Sequence, residues 1–322
     1  MQGLNVKIVA LLLTLMFLNG AIQPVRSEVE GVKETSKQPP SSEDPVIHIG
    51  TKLVTLAITV TDSYGRLVTG LEKEHFEVFD NKVKQQVEFF STEDLPISVA
   101  LVFDRSGSMK SRVTRSLASL RRFIGASNEK DEYCLVTFNN SAQLASDYTR
   151  NPDQLANSLV MVETKGATAL YDAVYIGLEK ARVGRHAKKA VVILSDGQDN
   201  SSRYSLNELK KLAKESDVLI YAIGMVEQWS NDPLDLEGRW ILEELAMLTG
   251  GRAFFPSNEQ ELQSAVMHIA LELRRQYSIG FSPTTPADGK WHKLKIKLHP
   301  PKGLSYLSVR GREGYYAKQS AE

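Results

Sequence analysis

Cysteine is nearly absent from this chain: Cys134 is the only one among 322 residues. An intrachain disulfide is therefore excluded, and the folded part must be held together by its hydrophobic core. The residue lies in the apolar stretch from Tyr133 to Val136. This position predicts a small buried hydrophobic side chain rather than a catalytic nucleophile.

An excess of either charge is also missing. The sequence has 39 Lys and Arg residues against 39 Asp and Glu residues, which gives a formal net charge of zero. Residues 1–27 contain only two of these charged residues, Lys7 and Arg26. The net charge therefore stays close to zero when these 27 residues are left out. A balanced chain of this kind argues against a nucleic-acid-binding protein.

The common catalytic signatures do not occur either. The sequence has no Gly-x-Ser-x-Gly elbow, no phosphate-binding loop and no dinucleotide fingerprint. The histidines are scattered, and none forms the His-Glu-x-x-His pair of zinc enzymes; they are His48, His75, His186, His268, His292 and His299. We predict that the protein is not an enzyme. A metal-assisted hydrolase is the alternative, although neither a candidate general base nor a second metal position is visible.

Long hydrophobic runs are limited to one, residues 8–18, which follows Lys7. The run is too short to span a bilayer comfortably, and Val25 and Ser27 are suitable residues for a cleavage site after Ser27. We predict a secretory signal peptide at residues 1–27, with an uncleaved N-terminal anchor as the alternative. The protein is then exported, either periplasmic or secreted, and no later run is long enough for a membrane helix.

Two segments carry no periodic pattern. Residues 28–47 are polar and rich in proline, which is typical of a flexible linker or a disordered tether. Residues 318–322 are predicted to be a short tail. The folded part is therefore expected to lie between these two segments.

Strand patterns without helices occupy two separate regions, residues 48–95 and 276–317. Apolar and polar side chains alternate from Leu53 to Thr61 in the first region and from Lys293 to Leu298 in the second, as in β-strands. The short strands of the first region alone are too few for a stable sandwich. We predict that both regions join into one small β-sandwich-like domain, into which the intervening residues are inserted.

Between residues 96 and 275, apolar strands alternate with amphipathic helices. Strands that are continuously apolar indicate a sheet that is buried on both faces. We therefore predict an α/β domain with a doubly wound, mostly parallel sheet and helices on both faces. In such sheets, ligands bind beyond the carboxyl ends of the strands. The apolar runs are residues 97–103, 133–138, 190–194, 218–223 and 253–255.

Oxygen-bearing side chains follow two of these strands. Asp104, Ser106 and Ser108 come directly after the first strand, and Asp196 follows the third in the sequence Ser-Asp-Gly. Thr168 lies in a glycine-bearing loop at the start of a helix. An ordinary strand-to-helix turn with a capping Ser or Asp explains the first group by itself. Because the sheet brings all these loops to one edge, we instead predict a site for a divalent cation such as Mg²⁺.

The three motifs, Asp-x-Ser-x-Ser, Gly-x-Thr-x-Leu and Ser-Asp-Gly, together resemble those of von Willebrand factor type A (VWA) domains. The resemblance covers residues 96–275. It implies that the five residues form the metal-ion-dependent adhesion site of that family, where the hydroxyls bind the cation and the two carboxylates act directly or through water. The flanks, residues 60–71 and 276–316, resemble exported bacterial proteins called VWFA-related acidobacterial domain proteins. This resemblance does not imply any particular activity.

The predicted site leaves room for a partner. Mg²⁺ prefers six oxygen ligands. When few of these ligands are carboxylates, the positive charge of the cation is only partly neutralised, so an acidic side chain of another protein can complete the coordination. We predict an exported protein-binding module for adhesion or envelope assembly, with Mg²⁺, or Mn²⁺ or Ca²⁺ in its place. Its partner is a protein ligand that offers Asp or Glu. Besides the hydrolase, a structural module with a silent metal site is an alternative.

Three further residues are candidates for partner contact. Asp199 and Asn200 follow the Asp196 loop, and either shape it or contact the partner. Residues 227–239 make a long strand–helix connection on the predicted metal side of the sheet. Trp229 lies in this segment and is a candidate anchor, because Trp is enriched at binding hot spots. The alternative is that it folds back onto the domain.

Overall fold

The structure covers most of the chain beyond residue 52. The computed structural model describes residues 53–110, 113–160, 164–226, 230–304 and 306–317. The predicted signal peptide, linker and tail, together with Trp229, lie outside the described residues. The described residues belong to one compact unit, and all the contacts below lie within it.

Strands and helices follow the regions that the sequence pattern separates. The strands are β1 (Val54–Thr61), β2 (Phe76–Asp80), β3 (Val83–Gln85), β4 (Phe89–Ser91), β5 (Ile97–Asp104), β6 (Glu132–Phe138), β7 (Ala142–Thr149), β8 (Lys188–Ser195), β9 (Leu219–Gly224), β10 (Ala253–Phe254), β11 (Tyr277–Phe281), β12 (Trp291–Leu298), β13 (Ser308–Arg310) and β14 (Gly314–Tyr316). The helices are α1 (Val113–Gly125), α2 (Pro152–Val160), α3 (Leu170–Arg182), α4 (Leu206–Glu215), α5 (Pro233–Thr249) and α6 (Glu259–Arg274).

A six-stranded sheet forms the centre of the α/β part, in the order β10-β9-β8-β5-β6-β7. Neighbouring strands are parallel except β6 and β7, which pair antiparallel. Side chains of β5 point alternately to the two faces: Val99 and Leu101 join one core, and Ala100 and Val102 join the other. Residues of α1, α2 and α6 complete the first core, and residues of α3, α4 and α5 complete the second.

The predicted doubly wound α/β fold is thereby confirmed, and so is its mostly parallel sheet. The predicted apolar runs fall in β5, β6, β8, β9 and β10. Strand β7 was not predicted, because it lies at the edge of the sheet and most of its side chains are at least partly exposed, which leaves no apolar run. Cys134 is fully buried on β6, and burial raises the pKa of its thiol to about 12.

Helix α5 begins inside the segment that was predicted to be a long connection. Residues 227–239 were expected to link a strand to a helix, but α5 already starts at Pro233. The side chain of Asp232 caps this helix by accepting a hydrogen bond from the main-chain N–H of Leu234 at 2.9 Å. Proline is favoured in the first turn because it has no N–H to leave unpaired. The expectation is therefore wrong for the second half of the segment.

Two four-stranded sheets form a sandwich from both ends of the described chain, in the orders β13-β1-β11-β4 and β14-β12-β2-β3. Their inner faces share one core. Antiparallel pairing of β1 with β11 runs from Val54 opposite Phe281 to Ile58 opposite Tyr277. Strand β4 pairs with the other side of β11, where Ser91 lies opposite Ser278. Both connections to the α/β part therefore leave the sandwich at the same end of β11.

A buried carboxylate joins the sandwich to the α/β part. Glu272 on α6 is fully buried. It accepts hydrogen bonds from the hydroxyls of Thr59 (3.1 Å) and Tyr221 (2.7 Å) and from the guanidinium of Arg310. Thr59 and Arg310 belong to β1 and β13, whereas Tyr221 lies on β9. A buried charge is tolerated only with such partners, so this residue fixes the two parts against each other.

None of the helices in the described ranges is long and apolar enough to cross a membrane.

Arg310 provides the test of this connection. Replacement of Arg310 by Met leaves the Glu272 carboxylate buried without its counter-charge, which is expected to lower the free energy of unfolding by about 3 kcal/mol. Urea denaturation measures the change. Arg182→Met is the control, because Arg182 pairs with Glu179 where both side chains are about half exposed, and less than about 1 kcal/mol is expected there. Equal losses in both variants would contradict the assigned role of Arg310.

Candidate metal centre

Asp104 is the last residue of β5 and is fully buried. One carboxylate oxygen accepts the main-chain N–H of Ser106 at 2.8 Å, and the other accepts the hydroxyl of Ser195 at 2.6 Å. The first bond turns the chain sharply after the strand, and the second ties the end of β5 to the end of β8. The carboxylate is thus held at the carboxyl edge of the sheet.

Burial is the main influence on the acidity of Asp104. Desolvation raises the pKa of this carboxyl to about 6, although the hydrogen bonds from Ser106 and Ser195 act in the opposite direction. The nearby carboxylate of Asp196 raises it further. A desolvated carboxylate beside a second one is an unfavourable arrangement without a compensating cation.

Ser106 and Ser108 lie in the turn that follows Asp104. Their hydroxyl oxygens are 3.0 Å apart. Ser106 is almost fully buried, whereas Ser108 is exposed. The pair therefore extends from the buried carboxylate of Asp104 to the protein surface, and its outer end is accessible to another molecule.

Thr168 lies two residues before the start of α3, and neighbouring loops hold its backbone. Its main-chain N–H donates to the side-chain oxygen of Asn200 at 2.8 Å, and its carbonyl accepts the N–H groups of Asn200 and Ser201. The adjacent N–H of Ala167 donates to the side-chain oxygen of Asn140 at 2.7 Å. These bonds place Thr168 between the loop after β6 and the loop after β8.

Asp196 follows the last residue of β8 and is almost fully buried. Gly197 comes next with a φ of +86°, a conformation that glycine adopts without strain. Its N–H donates to the hydroxyl of Ser195 at 3.1 Å, and the N–H of Gln198 donates to the Asp196 carboxylate at 3.2 Å. Ser195 thereby links this turn to Asp104.

Backbone hydrogen bonds connect the first two of these loops. The N–H of Gly107 donates to the carbonyl of Gly166 at 3.2 Å, and the N–H of Lys165 donates to the carbonyl of Arg105 at 3.0 Å. Together with the bonds of Ser195 and Asn200, they hold all three loops at one edge of the sheet. The structure therefore brings to one edge of the sheet the three loops that carry the five predicted metal ligands: Asp104, Ser106, Ser108, Thr168 and Asp196.

The donor set fits a hard divalent cation. Hydroxyl and carboxylate oxygens are the ligands that Mg²⁺ prefers, and in an octahedron with bonds of about 2.0–2.1 Å neighbouring oxygens lie roughly 2.9 Å apart. The 3.0 Å separation of the Ser106 and Ser108 hydroxyls matches this spacing. Among the described residues, no group of three or more His, Cys, Asp or Glu side chains could hold a metal ion.

The candidates for partner contact have different positions. Asn200 is exposed, but its side chain holds Thr168. Asp199 accepts the main-chain N–H of Tyr171 at 3.1 Å and the hydroxyl of Ser202 at 2.5 Å, so it also shapes the loop. Trp229 lies outside the described residues, and its role as an anchor stays a prediction.

Two supporting residues were not singled out from the sequence. Ser195 bonds both Asp104 and Gly197, and its position directly before Asp196 at the end of a strand could have indicated this role. Asn140 holds the N–H of Ala167 from 27 residues away. No local sequence signal identifies such a partner, because the contact exists only after the strands have assembled.

The buried carboxyl of Asp104 makes stability dependent on pH in the metal-free protein. The folded protein keeps this proton up to about pH 6, whereas the ordinary pKa of 3.8 applies to the unfolded chain. Stability therefore falls as the pH rises through this window and stays lower above it. Between pH 4 and 7, the free energy of unfolding of the wild type is expected to fall by an amount on the order of 2–3 kcal/mol. Asp104→Asn should not show this decrease, because Asn does not ionise. Urea denaturation in EDTA measures it, with the exposed Asp153→Asn as control. Identical pH dependence in all three proteins would contradict the assignment.

Comparison with known proteins identifies the family of the α/β part. The sequence profile of the von Willebrand factor type A domain matches residues 98–268, which is more than half of the chain. An uncharacterised protein of Synechocystis sp. is 22% identical over 172 residues, which cover 52% of this chain and 39% of that protein. Calcium-activated chloride channel regulator 1 of Bos taurus is 25% identical over 170 residues, 50% of this chain and 17% of that protein. The match thus spans less than half of either relative.

Two solved structures are similar to parts of this chain. A von Willebrand factor type A protein from Catenulispora acidiphila covers 80% of this chain and 74% of its own, with 11% identity and a TM-score of 0.46. The corresponding domain of the type V pili tip protein Mfa5 from Porphyromonas gingivalis covers 56% of this chain and 97% of its own, with 14% identity and a TM-score of 0.46. On the profile match over residues 98–268, the chain belongs to the von Willebrand factor type A domain family.

Proposed function

We propose that this chain is a protein-binding module whose VWA domain holds a divalent cation and engages an acidic side chain of a protein partner. Mg²⁺ is the proposed cation, with Mn²⁺ or Ca²⁺ as substitutes. Adhesion or assembly in the cell envelope is the proposed setting. The observation that carries the proposal is the convergence of three hydrogen-bonded loops, which present hydroxyl and carboxylate oxygens at the carboxyl edge of the sheet.

The electrostatics of the edge support a cation there. Asp104 and Asp196 are both almost fully buried and close enough to affect each other. Two neighbouring desolvated carboxylates repel each other, and a divalent cation between them would offset that repulsion. The hydroxyls of Ser106 and Ser108, spaced 3.0 Å apart, are neutral ligands, so they would add coordination without cancelling more of the positive charge.

The geometry also supports an approach from outside. Burial decreases from Asp104 through Ser106 to Ser108, which is exposed. The bound cation would supply an open coordination position for an incoming carboxylate, and this bond would be charge-assisted. Ser108 then marks the side from which the partner enters. Ser195 and Asn200 keep the ligand loops in place, so the site does not have to be assembled at the moment of binding.

Export of the protein is part of the proposal. It is supported by the signal-peptide pattern in residues 1–27, which lie outside the described residues. An extracytoplasmic location suits an adhesion or assembly function. The closer resemblance to acidobacterial proteins stays a prediction.

Cation binding is tested first by thermal denaturation. At a Mg²⁺ concentration of about 100 times Kd, the wild type is expected to gain about 2.7 kcal/mol, which raises Tm by roughly 5 °C or more. Ser106→Ala and Asp104→Ala are expected to lose this gain, since each removes an oxygen ligand. Asp153→Ala, an exposed substitution on α2, should keep it. An increase in Tm that is the same in all four proteins would contradict the site.

Partner binding is tested by capture from envelope extracts. The wild type is expected to retain a partner in Mg²⁺ and to release it in EDTA, whereas Asp104→Ala should retain nothing in either buffer. Capture that survives both EDTA and the substitution would favour a structural module with a silent site. Hydrolysis of an ester or phosphate panel that disappears in Asp104→Ala would favour a metal-assisted hydrolase.

A further inference from the structure

Helix α5 contacts the Asp196 loop through two glycines. Gly197 follows Asp196, and Gly238 is buried in the second turn of α5. A Cβ atom added to Gly197 would lie 2.6 Å from the carbonyl carbon of Gly238. A Cβ atom added to Gly238 would overlap the main-chain carbonyl oxygen of Asp196 and lie 3.1 Å from the carbonyl carbon of Gly197. The two backbones are therefore in direct van der Waals contact.

The position of Gly238 is unusual for its helix. The other residues on the inner face of α5 that follow it, Ile241, Leu242 and Leu245, are buried apolar side chains of the core. Glycine inside a helix is less favourable than Ala by about 0.5–1 kcal/mol. The close approach of the Asp196 loop is the reason that a side chain is missing here, since no Cβ fits between the two backbones.

Further contacts hold the segments around this loop: one joins the end of β9 to the end of β8, and the other joins α5 to the residue after β10. The N–H of Met225, where the chain leaves β9 towards α5, donates to the carbonyl of Ser195 at 2.8 Å. Next to Gly238, the guanidinium of Arg239 lies over the ring of Phe255 with its central carbon 4.1 Å from the ring centre. The Asp196 loop is therefore held by Asp104 on one side, through Ser195, and by α5 on the other.

We propose that Gly238 is a positioning residue for the metal site. Its contact with the backbone of Asp196 and Gly197 sets the distance between α5 and this loop, and thereby the position of the Asp196 carboxylate relative to Asp104. Because Mg²⁺ requires near-ideal octahedral geometry, a displacement of this backbone by one methyl group weakens cation binding. The proposal rests on the proposed function of the same site.

The test compares two Gly→Ala substitutions in the full chain. Gly238→Ala is expected to lower Mn²⁺ affinity at least tenfold in calorimetry at a temperature where the protein is folded. Gly125→Ala is the matched control, because Gly125 ends α1 and an added Cβ there meets nothing within 4 Å; its Mn²⁺ affinity should equal that of the wild type. If Gly238 only contributes to packing, its substitution lowers Tm in EDTA but leaves Mn²⁺ affinity unchanged, and the proposal is overturned.

A second variant and a second readout keep the test decisive. Phe255→Leu removes the ring beneath Arg239 without adding bulk, and a smaller loss of Mn²⁺ affinity, of a few-fold, is expected; unchanged affinity would contradict the role of α5. In EDTA, the amide signals of Gly197 and Gln198 should shift in Gly238→Ala and stay in place in Gly125→Ala. If the wild type binds no Mn²⁺, the proposed function fails, and these signals still show whether Gly238 positions the loop.

Discussion

The parallel pairing of β5 with β8 determines where the candidate metal site lies. The strands remain in register as far as Phe103 opposite Leu194, so Asp104 and Ser195 leave the sheet beside each other and form a hydrogen bond. Asp196 follows at the same edge. A slip of one residue would turn each side chain to the opposite face, and the two acids would no longer meet. The loops from β6 and α3 add to a site whose basis is this register.

Much of this arrangement could be predicted, because it follows from the burial of the central strands and from their parallel direction. Continuous apolar runs identified β5 and β8 as strands covered on both faces, and parallel strands place their carboxyl ends together. Asp104, at the end of β5, and Asp196, directly after β8, are therefore close in space although they are distant in sequence. Thr168 was predicted from its motif, since a glycine-bearing loop before a helix is visible in the sequence itself.

The parts that could not be predicted depend on contacts between distant segments. Strand β7 has little apolar pattern, because an edge strand is half exposed. The start of α5 is different, because Asp232 and Pro233 are typical of a helix N-terminus and mark it locally in the sequence. The contact of Gly238 with the Asp196 loop, and the bond of Asn140 to the Thr168 loop, appear only when helices and strands have packed. Such tertiary contacts leave no periodic signal.

The pairing of β1 with β11 has a mechanical consequence for the connection between the VWA domain and the chain before β1. The chain enters β1 at Val54, opposite Phe281, whereas the VWA domain is attached at the other end of the pair, through Tyr277 and through Ser91 on β4. A pull between the residues before Val54 and the VWA domain acts along the strands in opposite directions. The load is then shared as shear by all the hydrogen bonds of the pair at once, instead of opening them one after another. The sandwich is thus suited to carry tension between the VWA domain and the chain that precedes β1.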